Sequence, residues 1–146
     1  MTILRQQGQA AKSAAYPLAT AGTAKKNAAL QAMANILTDR QAEWLQANAR
    51  DIAAAREAGM RPSLLDRLAL TAERIAGIVD GIRQICALPD PIGRVDRMET
   101  RPNGLIIGRR RVPLGVIAII YEARPNVTVD AAALCLKSGN ACILRG

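Results

Sequence analysis

The sequence has 146 residues, of which half are hydrophobic, and its formal net charge is +8. This length suits one domain with an apolar core, and no run approaches the ~18 apolar residues that a membrane-spanning helix requires. There is no histidine, which excludes a cysteine–histidine or serine–histidine catalytic pair within these residues.

The cysteines, Cys86, Cys135 and Cys142, indicate a reducing compartment. They lack the close spacing of a zinc site, and we predict no metal. Their odd number argues against a disulfide framework, and Cys135 and Cys142 stand among apolar residues, where cysteine is usually a small buried side chain. Residues 1–8 contain no apolar segment of signal-peptide length. We therefore expect a cytoplasmic protein that does not contact a membrane.

The positive charge makes a nucleic-acid-binding protein one candidate class. The basic residues are scattered singly, however, except in the triplet at 109–111. The aromatic residues are also too few to form platforms for base stacking: Tyr16, Trp44 and Tyr121. We therefore expect no nucleic-acid partner.

Residues 1–87 predict a layer of helices. The alanine-rich stretch 3–21 is typical of a helix that Pro17 kinks, or ends near Tyr16. Thr23 is positioned to cap the next helix, whose apolar face recurs with helical spacing at Leu30, Met33, Ala34 and Leu37.

Capping signals divide the next part of this layer. Thr38 and Gln41 predict a capping box for a third helix. Its buried side would comprise Trp44, Leu45 and Ile52. Gly59 ends this helix, and Ser63 is expected to cap a short turn at residues 64–68.

Thr71 opens the clearest helix of the sequence. Its apolar stripe has helical spacing and comprises Ile75, Ile78, Val79, Ile82 and Ile85. Gly77 and Gly81 lie inside this helix, where glycine costs about 1 kcal/mol relative to alanine. Close packing of a neighbouring element is the expected reason for these two glycines.

Residues 94–101 and 105–111 predict a β-hairpin, because an Asn-Gly pair between them is a strong turn signal. A two-stranded hairpin is not stable alone, so it must lie on a sheet or on another subunit. Gly108 and the arginines at 109–111 also fit an exposed, charged edge that protects against aggregation. Both interpretations stay open.

The C-terminal segment predicts a strand–helix–strand unit with parallel strands. The apolar runs 116–120 and 141–144 are typical of buried strands, and residues 128–138 have helical character. Asp130 in the first turn and Lys137 in the last match the helix dipole. Gly139 follows as a stop.

Ligands of parallel sheets bind beyond the carboxyl ends of the strands, which here are residues 121–126 and 145–146. The whole sequence predicts an α/β protein in three segments. These are a helical layer at 1–87, a linker and β-hairpin at 88–112, and the opening strand–helix–strand of a Rossmann-like parallel sheet at 113–146, incomplete after two strands.

Several motifs resemble one enzyme family. They are VPLGVI at 112–117, YEARPNVTVD at 121–130, KSGNA at 137–141, ILRG at 143–146 and LDRLALT at 65–71. With them the sequence resembles the gamma-glutamyl phosphate reductases, or glutamate-5-semialdehyde dehydrogenases, of the aldehyde dehydrogenase superfamily. The decapeptide at 121–130 is much more specific to this family than the other motifs. The resemblance covers the whole chain but only the N-terminal portion of the family's length.

The resemblance implies an enzyme of L-proline biosynthesis that reduces L-glutamate 5-phosphate to L-glutamate 5-semialdehyde and phosphate with NADPH. In such an enzyme a cysteine thiolate attacks the acyl phosphate, phosphate leaves, and hydride reduces the resulting thioester. The family's catalytic cysteine lies on a segment that this sequence lacks, so we expect residues 1–146 alone to be inactive. The resemblance also implies a homo-oligomer with contacts through residues 94–111.

The resemblance assigns the cofactor to the end of the second strand. The superfamily binds nicotinamide cofactors without a Gly-x-Gly-x-x-Gly fingerprint, and none occurs here. Arg145, followed by Gly146, corresponds to a basic residue that contacts the adenosine ribose. An arginine suits a 2′-phosphate, which its planar guanidinium can grip bidentately, and so favours NADPH over NADH. The alternative is an arginine that merely reaches solvent.

The resemblance assigns the substrate to the loop after the first strand. An asparagine there helps form the oxyanion hole of aldehyde dehydrogenases, and Asn126 is the only amide of the loop. A helix cap or turn former is its alternative role. Arg124 is expected to bind an anionic substrate group or to pair with Glu122 or Asp130. Tyr121 is expected to line the pocket or simply to pack.

A function of a different class also stays open. A truncated, non-catalytic product would act through its hairpin, by joining oligomers of a full-length enzyme.

Overall fold

The computed structural model describes residues 2–122 and 124–145, which form six helices and four strands. The helices are α1 (Ile3–Ala19), α2 (Thr23–Asp39), α3 (Gln41–Glu57), α4 (Pro62–Leu68), α5 (Ala72–Ala87) and α6 (Pro125–Lys137). The strands are β1 (Val95–Thr100), β2 (Ile106–Arg110), β3 (Val116–Ile120) and β4 (Ala141–Arg145). None of the helices among these residues has the length and apolar character needed to span a membrane.

Helix α5 carries the centre of the core. The Thr71 hydroxyl accepts a hydrogen bond from the Arg74 N–H at 3.1 Å, so the predicted cap is confirmed. All residues of the predicted stripe are buried: Ile75, Ile78, Val79, Ile82 and Ile85. The last four cluster with Leu30 and Ala34 of α2 and with Ala133 of α6. Full burial of one such large side chain contributes roughly 1.5–3 kcal/mol. The seam formed by these residues of α2, α5 and α6 therefore stabilises the contact between the helical layer and the strand–helix–strand unit.

The predicted caps of α2, α3 and α4 are wrong. The N-cap of α2 is Gly22, and the Thr23 hydroxyl instead donates to Asp90 at 2.8 Å. Thr38 lies inside α2, where its hydroxyl donates to the Ala34 carbonyl at 3.0 Å, and the N-cap of α3 is Arg40. Helix α4 starts at Pro62, which leaves Ser63 inside the first turn. An N-cap hydroxyl accepts a hydrogen bond from a backbone N–H, whereas the Thr23 and Thr38 hydroxyls act as donors to other groups.

Helix α3 buries less apolar surface than the sequence predicts. Leu45 and Ile52 are half-buried, whereas Trp44 is exposed and lies beside the Arg40 guanidinium, 5.6 Å from the ring centroid. Such a cation–π contact stabilises an aromatic ring that remains in water. The buried residue of α3 is Asn48, which is 5% exposed.

Helix α1 accommodates its proline. It extends to Ala19 with Pro17 inside it, rather than ending near Tyr16. Because Pro17 lies in the last turn, little of the helix follows the hydrogen bond that proline removes. Helix α1 packs on β4 and β3.

The predicted hairpin is confirmed, with β1 and β2 antiparallel and Met98 opposite Gly108. The Gly104 N–H closes its turn by donating to the Arg101 carbonyl at 2.8 Å. Gly104 has φ +83°, a conformation that favours glycine. At position 108 a Cβ would need the space that the Met98 sulfur occupies.

The hairpin does not lie on the parallel sheet. Within the described residues β1 pairs with β2 and β3 pairs with β4, in two separate sheets. Both hairpin strands are almost entirely exposed. The prediction that the hairpin lies on the parallel sheet is therefore wrong. Packing of the hairpin on another subunit stays a prediction.

The strand–helix–strand unit is confirmed, because β3 and β4 are parallel and paired along their whole lengths. Helix α6 starts at Pro125 rather than at residue 128, since proline suits the first helical position. Asp130 consequently lies beyond the first turn, and its predicted match to the helix dipole is wrong. Gly139 follows the helix with φ +70°, as predicted for a stop.

Two buried lysines fasten the helical layer to the linker and to α6. The side chain of Lys26 is 1% exposed, and its ammonium pairs with the Asp90 carboxylate at 2.6 Å. The ammonium of Lys137, which lies in the last turn of α6 as predicted, donates to Asn27 Oδ1 at 2.7 Å and to the Cys86 carbonyl at 3.0 Å. A buried charge without partners is costly, so these contacts specify how the elements meet.

The Lys26–Asp90 pair makes stability depend on pH. Burial alone would raise the pKa of Asp90, but hydrogen bonds from Lys26, the Ile92 N–H and Thr23 hold it below its ordinary value of 3.8. A carboxyl group whose pKa is depressed by folding stabilises the fold above its ordinary pKa. That contribution is lost as the pH falls through the folded-state pKa.

We predict that Asp90→Asn lowers the free energy of unfolding at neutral pH by roughly 3 kcal/mol, because it leaves the Lys26 ammonium buried without a counter-charge. The variant should also lose less stability than the wild type below about pH 4. Urea denaturation across pH measures both effects. As a control, Asp80→Asn removes an exposed pair with Arg83 and should change stability by less than about 1 kcal/mol. Equal acid sensitivity of wild type and Asp90→Asn would contradict this account.

Candidate functional site

A cavity of about 360 Å³ lies between the α4–α5 connection, the first turns of α5 and the start of α6. We call it the α5–α6 cavity. Its polar lining comprises Asp66, Arg67, Arg74, Arg124, Asn126 and Asp130. Ligand pockets usually measure ~300–1,000 Å³, so the α5–α6 cavity has room for a small molecule. It adjoins the loop in which the resemblance predicts substrate-binding residues.

Two side chains hold the α4–α5 connection in place. The Arg74 guanidinium donates to the Asp66 carbonyl at 2.5 Å, to the Ala69 carbonyl at 2.7 Å and to the Asp66 carboxylate at 3.1 Å. The Asn48 amide donates to the Leu68 carbonyl at 2.9 Å and accepts from the Leu70 N–H at 2.7 Å. The wall of the cavity that carries Arg67 is therefore fixed by hydrogen bonds from two different helices.

Sequence reasoning missed Asn48 and Arg74. Asn48 lies three residues after Leu45 and four before Ile52, on the face of α3 that was predicted to be buried. A polar residue on an apolar face was the available signal, since a buried amide must find partners. For Arg74 there was no comparable signal, because an arginine in the first turn of a helix is ordinary.

Arg124 and Asn126 both line the cavity, as the resemblance predicts for substrate-binding residues. The backbone of Arg124 is the N-cap of α6, and no side chain caps this helix. Asn126 is thus inside the first turn, and its alternative role as a cap is wrong. Among the residues that the structure describes, Arg124 makes no ion pair with Glu122 or Asp130. Their roles in substrate binding stay predictions.

The charges around the cavity leave an excess of positive charge. Arg74 is paired with Asp66. The guanidinium groups of Arg67 and Arg124 make no hydrogen bond or ion pair within the described part of the chain, and neither does the Asp130 carboxylate. Two unpaired cations facing one unpaired anion suit a ligand with more negative than positive groups.

The other predicted residues lie at the carboxyl edge of the sheet. Tyr121 is not part of the cavity lining, and its hydroxyl lies 2.5 Å from the Thr128 hydroxyl in a hydrogen bond. Arg145 ends β4 opposite Ile120, and its carbonyl accepts from the Tyr121 N–H at 3.0 Å. Gly146 lies outside the described residues. Tyr121 and Arg145 are therefore not among the residues that line the α5–α6 cavity with Arg124 and Asn126.

The cysteines lie away from the α5–α6 cavity. Cys135 is buried, and burial, with a smaller contribution from the neighbouring Cys142, raises the pKa of its thiol. The Cys86 thiol donates to the Asn27 carbonyl at 3.7 Å. No group of residues within 2–122 and 124–145 has the composition of a metal site.

The two glycines of α5 differ in their surroundings. A Cβ at Gly81 would meet the Asp130 carboxylate at 3.9 Å, an ordinary contact with α6. A Cβ at Gly77 would meet nothing within 4 Å, although Gly77 lines the cavity. No described element of this chain packs closely against Gly77. The prediction that close packing requires a glycine is therefore wrong at this position.

Known proteins are similar to this chain in both sequence and fold. No protein-family model matches the chain. It is 61% identical over 143 residues to the gamma-glutamyl phosphate reductase of Moorella thermoacetica, a match that covers 98% of this chain and 34% of that protein. It is 58% identical over 146 residues to the gamma-glutamyl phosphate reductase of Yersinia pestis, covering 100% of this chain and 35% of that protein.

The chain is homologous to the N-terminal portion of gamma-glutamyl phosphate reductases. Two crystal structures of gamma-glutamyl phosphate reductases have the same fold as this chain. That from Thermotoga maritima has a TM-score of 0.95 at 43% identity, over 99% of this chain and 35% of its own. That from Saccharomyces cerevisiae has a TM-score of 0.94 at 33% identity, over 100% of this chain and 37% of its own.

These similarities confirm the predicted resemblance and the α/β fold class. The chain spans about a third of the length of the gamma-glutamyl phosphate reductases that it matches. The α5–α6 cavity therefore belongs to a segment that these reductases share with this chain.

We predict that Asn48→Ala lowers the free energy of unfolding by about 1–3 kcal/mol, because it leaves the Leu68 carbonyl and the Leu70 N–H buried without their partner. Amide hydrogen exchange at Leu70 should accelerate as the α4–α5 connection loosens. Asn35 lies exposed in α2, and Asn35→Ala should change stability by less than about 0.5 kcal/mol. Unchanged exchange at Leu70 in Asn48→Ala would show that the amide does not hold this wall.

Proposed function

We propose that this chain is the N-terminal part of a cytoplasmic, NADPH-dependent reductase of L-proline biosynthesis. The enzyme would convert L-glutamate 5-phosphate into L-glutamate 5-semialdehyde and phosphate. The observation that carries the proposal is the 61% identity to a gamma-glutamyl phosphate reductase over 98% of the chain.

The α5–α6 cavity supplies the substrate-binding part of the proposal. Arg124 would bind the phosphate or the carboxylate through charge-assisted hydrogen bonds. Asn126, two residues further along the chain, would donate its amide to the carbonyl oxygen that becomes negative during nucleophilic attack. Tyr121 would orient the loop on the substrate side through its hydrogen bond to Thr128.

Arg145 and Gly146 are the proposed cofactor contacts. Arg145 is exposed at the carboxyl edge of the sheet, where ligands of parallel sheets bind. Its planar guanidinium fits a 2′-phosphate on the adenosine ribose. NADPH, when bound, supplies the hydride. The residues of this chain would bind and orient its adenosine end.

The nucleophile would come from outside the α5–α6 cavity described here. None of the three cysteines lines the cavity, and burial raises the pKa of Cys135 and so disfavours its reactive thiolate. We therefore propose that residues 1–146 alone do not reduce the substrate.

A second candidate function rests on the hairpin. Its exposed apolar side chains are Val95, Met98, Leu105, Ile106 and Ile107. Exposed apolar clusters commonly mark interaction surfaces. They support a homo-oligomer, or a non-catalytic chain that joins oligomers of a full-length reductase. A lack of co-elution with an intact reductase in size-exclusion chromatography would remove the non-catalytic candidate.

A chimera tests the proposed activity. We predict that the M. thermoacetica reductase keeps NADPH-dependent reductase activity when this chain replaces the matching third of it, whereas the 146-residue chain alone shows none. Consumption of NADPH with L-glutamate 5-phosphate measures both. In the chimera, Asn126→Ala should lower kcat about 100-fold, the usual effect of losing one oxyanion donor.

A matched substitution outside the cavity is the control for the chimera. Asn35→Ala changes an exposed amide of α2 and should leave kcat and KM unchanged. A folded chimera without activity, or turnover by the chain alone, would overturn the proposal.

A further inference from the structure

Asn103 and Gly104 lie exposed at the tip of the hairpin that joins β1 to β2. In an Asn-Gly pair the backbone nitrogen of the glycine readily attacks the side-chain amide of the asparagine, because glycine has no side chain to hinder the approach. The other asparagines of the sequence each precede a residue with a side chain: Asn27, Asn35, Asn48, Asn126 and Asn140. Asn103 is therefore the asparagine whose local sequence most favours this reaction.

The reaction at Asn103 consumes only water. The Gly104 backbone nitrogen loses its proton, and its lone pair forms a bond to the carbonyl carbon of the Asn103 side chain. The bond from this carbon to the side-chain nitrogen breaks, and that nitrogen takes up a proton and leaves as ammonia, which gives a succinimide ring. Water opens the ring at either carbonyl. One opening yields aspartate with the ordinary backbone, and the other yields isoaspartate, in which the chain runs through the side-chain carbonyl carbon.

In the closed hairpin both reacting groups are held in hydrogen bonds. The Gly104 N–H donates to the Arg101 carbonyl at 2.8 Å, so the attacking nitrogen keeps its proton. The Asn103 side-chain oxygen accepts from the Leu105 N–H at 3.1 Å, which fixes the orientation of the amide that would be attacked. Attack therefore requires the turn to open.

The pairing of β1 with β2 is the main support of this turn. In the described part of the chain these strands form a sheet of their own and are almost entirely exposed. A two-stranded hairpin of this kind is marginally stable in water. Arg97 lies opposite Arg109, and like charges directly opposite one another destabilise a strand pair. Segments with few buried contacts open locally while the rest stays folded, so the turn can open in the folded protein.

We propose that Asn103 is a modification site, at which opening of the hairpin leads to conversion into aspartate and isoaspartate, and that the isoaspartate form keeps the hairpin open. The isoaspartate linkage adds a carbon to the backbone before Gly104, which displaces the Gly104 N–H from the Arg101 carbonyl. The ordered strands that present the exposed side chains of Met98 and Ile106 are then lost. This inference is independent of the proposed reductase activity.

Incubation of the chain in mildly alkaline buffer, followed by peptide mass spectrometry, tests the site. We expect conversion at Asn103 before any other asparagine, seen as the mass gain of an amide that becomes a carboxyl group. A synthetic peptide of residues 99–107 is too short for the full strand pairing and should convert about tenfold faster than the chain, because it lacks the protecting hydrogen bonds. Conversion first at another asparagine, or equal rates in peptide and chain, would overturn the proposal.

A variant away from the tip tests whether opening of the hairpin controls the rate. At position 108 a Cβ would need the space of the Met98 sulfur, so Gly108→Val should open the hairpin and convert Asn103 as fast as the peptide does. Gly8→Ala adds a methyl group in open space on α1 and should convert at the wild-type rate. A wild-type rate in a Gly108→Val chain whose hairpin amides have lost their protection from hydrogen exchange would contradict control by opening.

Hydrogen exchange of the separated products tests the effect of isoaspartate. Ion-exchange chromatography isolates the converted chains, and electron-transfer fragmentation distinguishes isoaspartate from aspartate. We expect the Arg101 and Gly104 amides to lose their protection in the isoaspartate form. Asn103→Asp is the matched control, since it has the new charge on an ordinary backbone and its carboxylate can still accept from Leu105, so it should keep the protection. Wild-type protection in the isoaspartate form would show that the modification leaves the hairpin closed and would overturn that part of the proposal.

Discussion

The buried face of α5 is the constraint on which the rest of the structure depends. Ile82 is fully buried where α5 meets α2 and α6, and none of the other described helices contacts both of these so extensively. This packing fixes the angle at which the helical layer meets the strand–helix–strand unit. The α5–α6 cavity opens at the N-terminal end of the same seam, so its shape follows from the core rather than from a flexible loop.

Periodicity in the sequence was sufficient to predict this core. The stripe from Ile75 to Ile85, the strands around Val116 and Ala141, and the turn at Gly104 all depend on local patterns of burial and backbone conformation. The caps at Thr23, Thr38 and Ser63 were not predictable in the same way. Where each helix begins, and which group the nearby hydroxyl bonds, depends on tertiary neighbours such as Asp90, which is 67 residues from Thr23.

Only the part of the α5–α6 cavity at the start of α6 was predictable from the sequence. The resemblance pointed to Arg124 and Asn126 because they follow a strand in a family-specific motif. The opposite wall is assembled by Asn48, which reaches 20 and 22 residues along the chain to Leu68 and Leu70. The position of Asn48 on an apolar face indicates that it needs partners, but local sequence does not show that these partners are Leu68 and Leu70. The open space at Gly77 is likewise a property of the assembled helices, and the sequence predicted the reverse.

A crystal structure of this chain with L-glutamate tests most directly whether the cavity is a binding site. The account predicts L-glutamate in the α5–α6 cavity, with a carboxylate within hydrogen-bond distance of the Arg124 guanidinium. A saturated crystal in which the cavity holds only water, or in which L-glutamate binds elsewhere, would contradict the account.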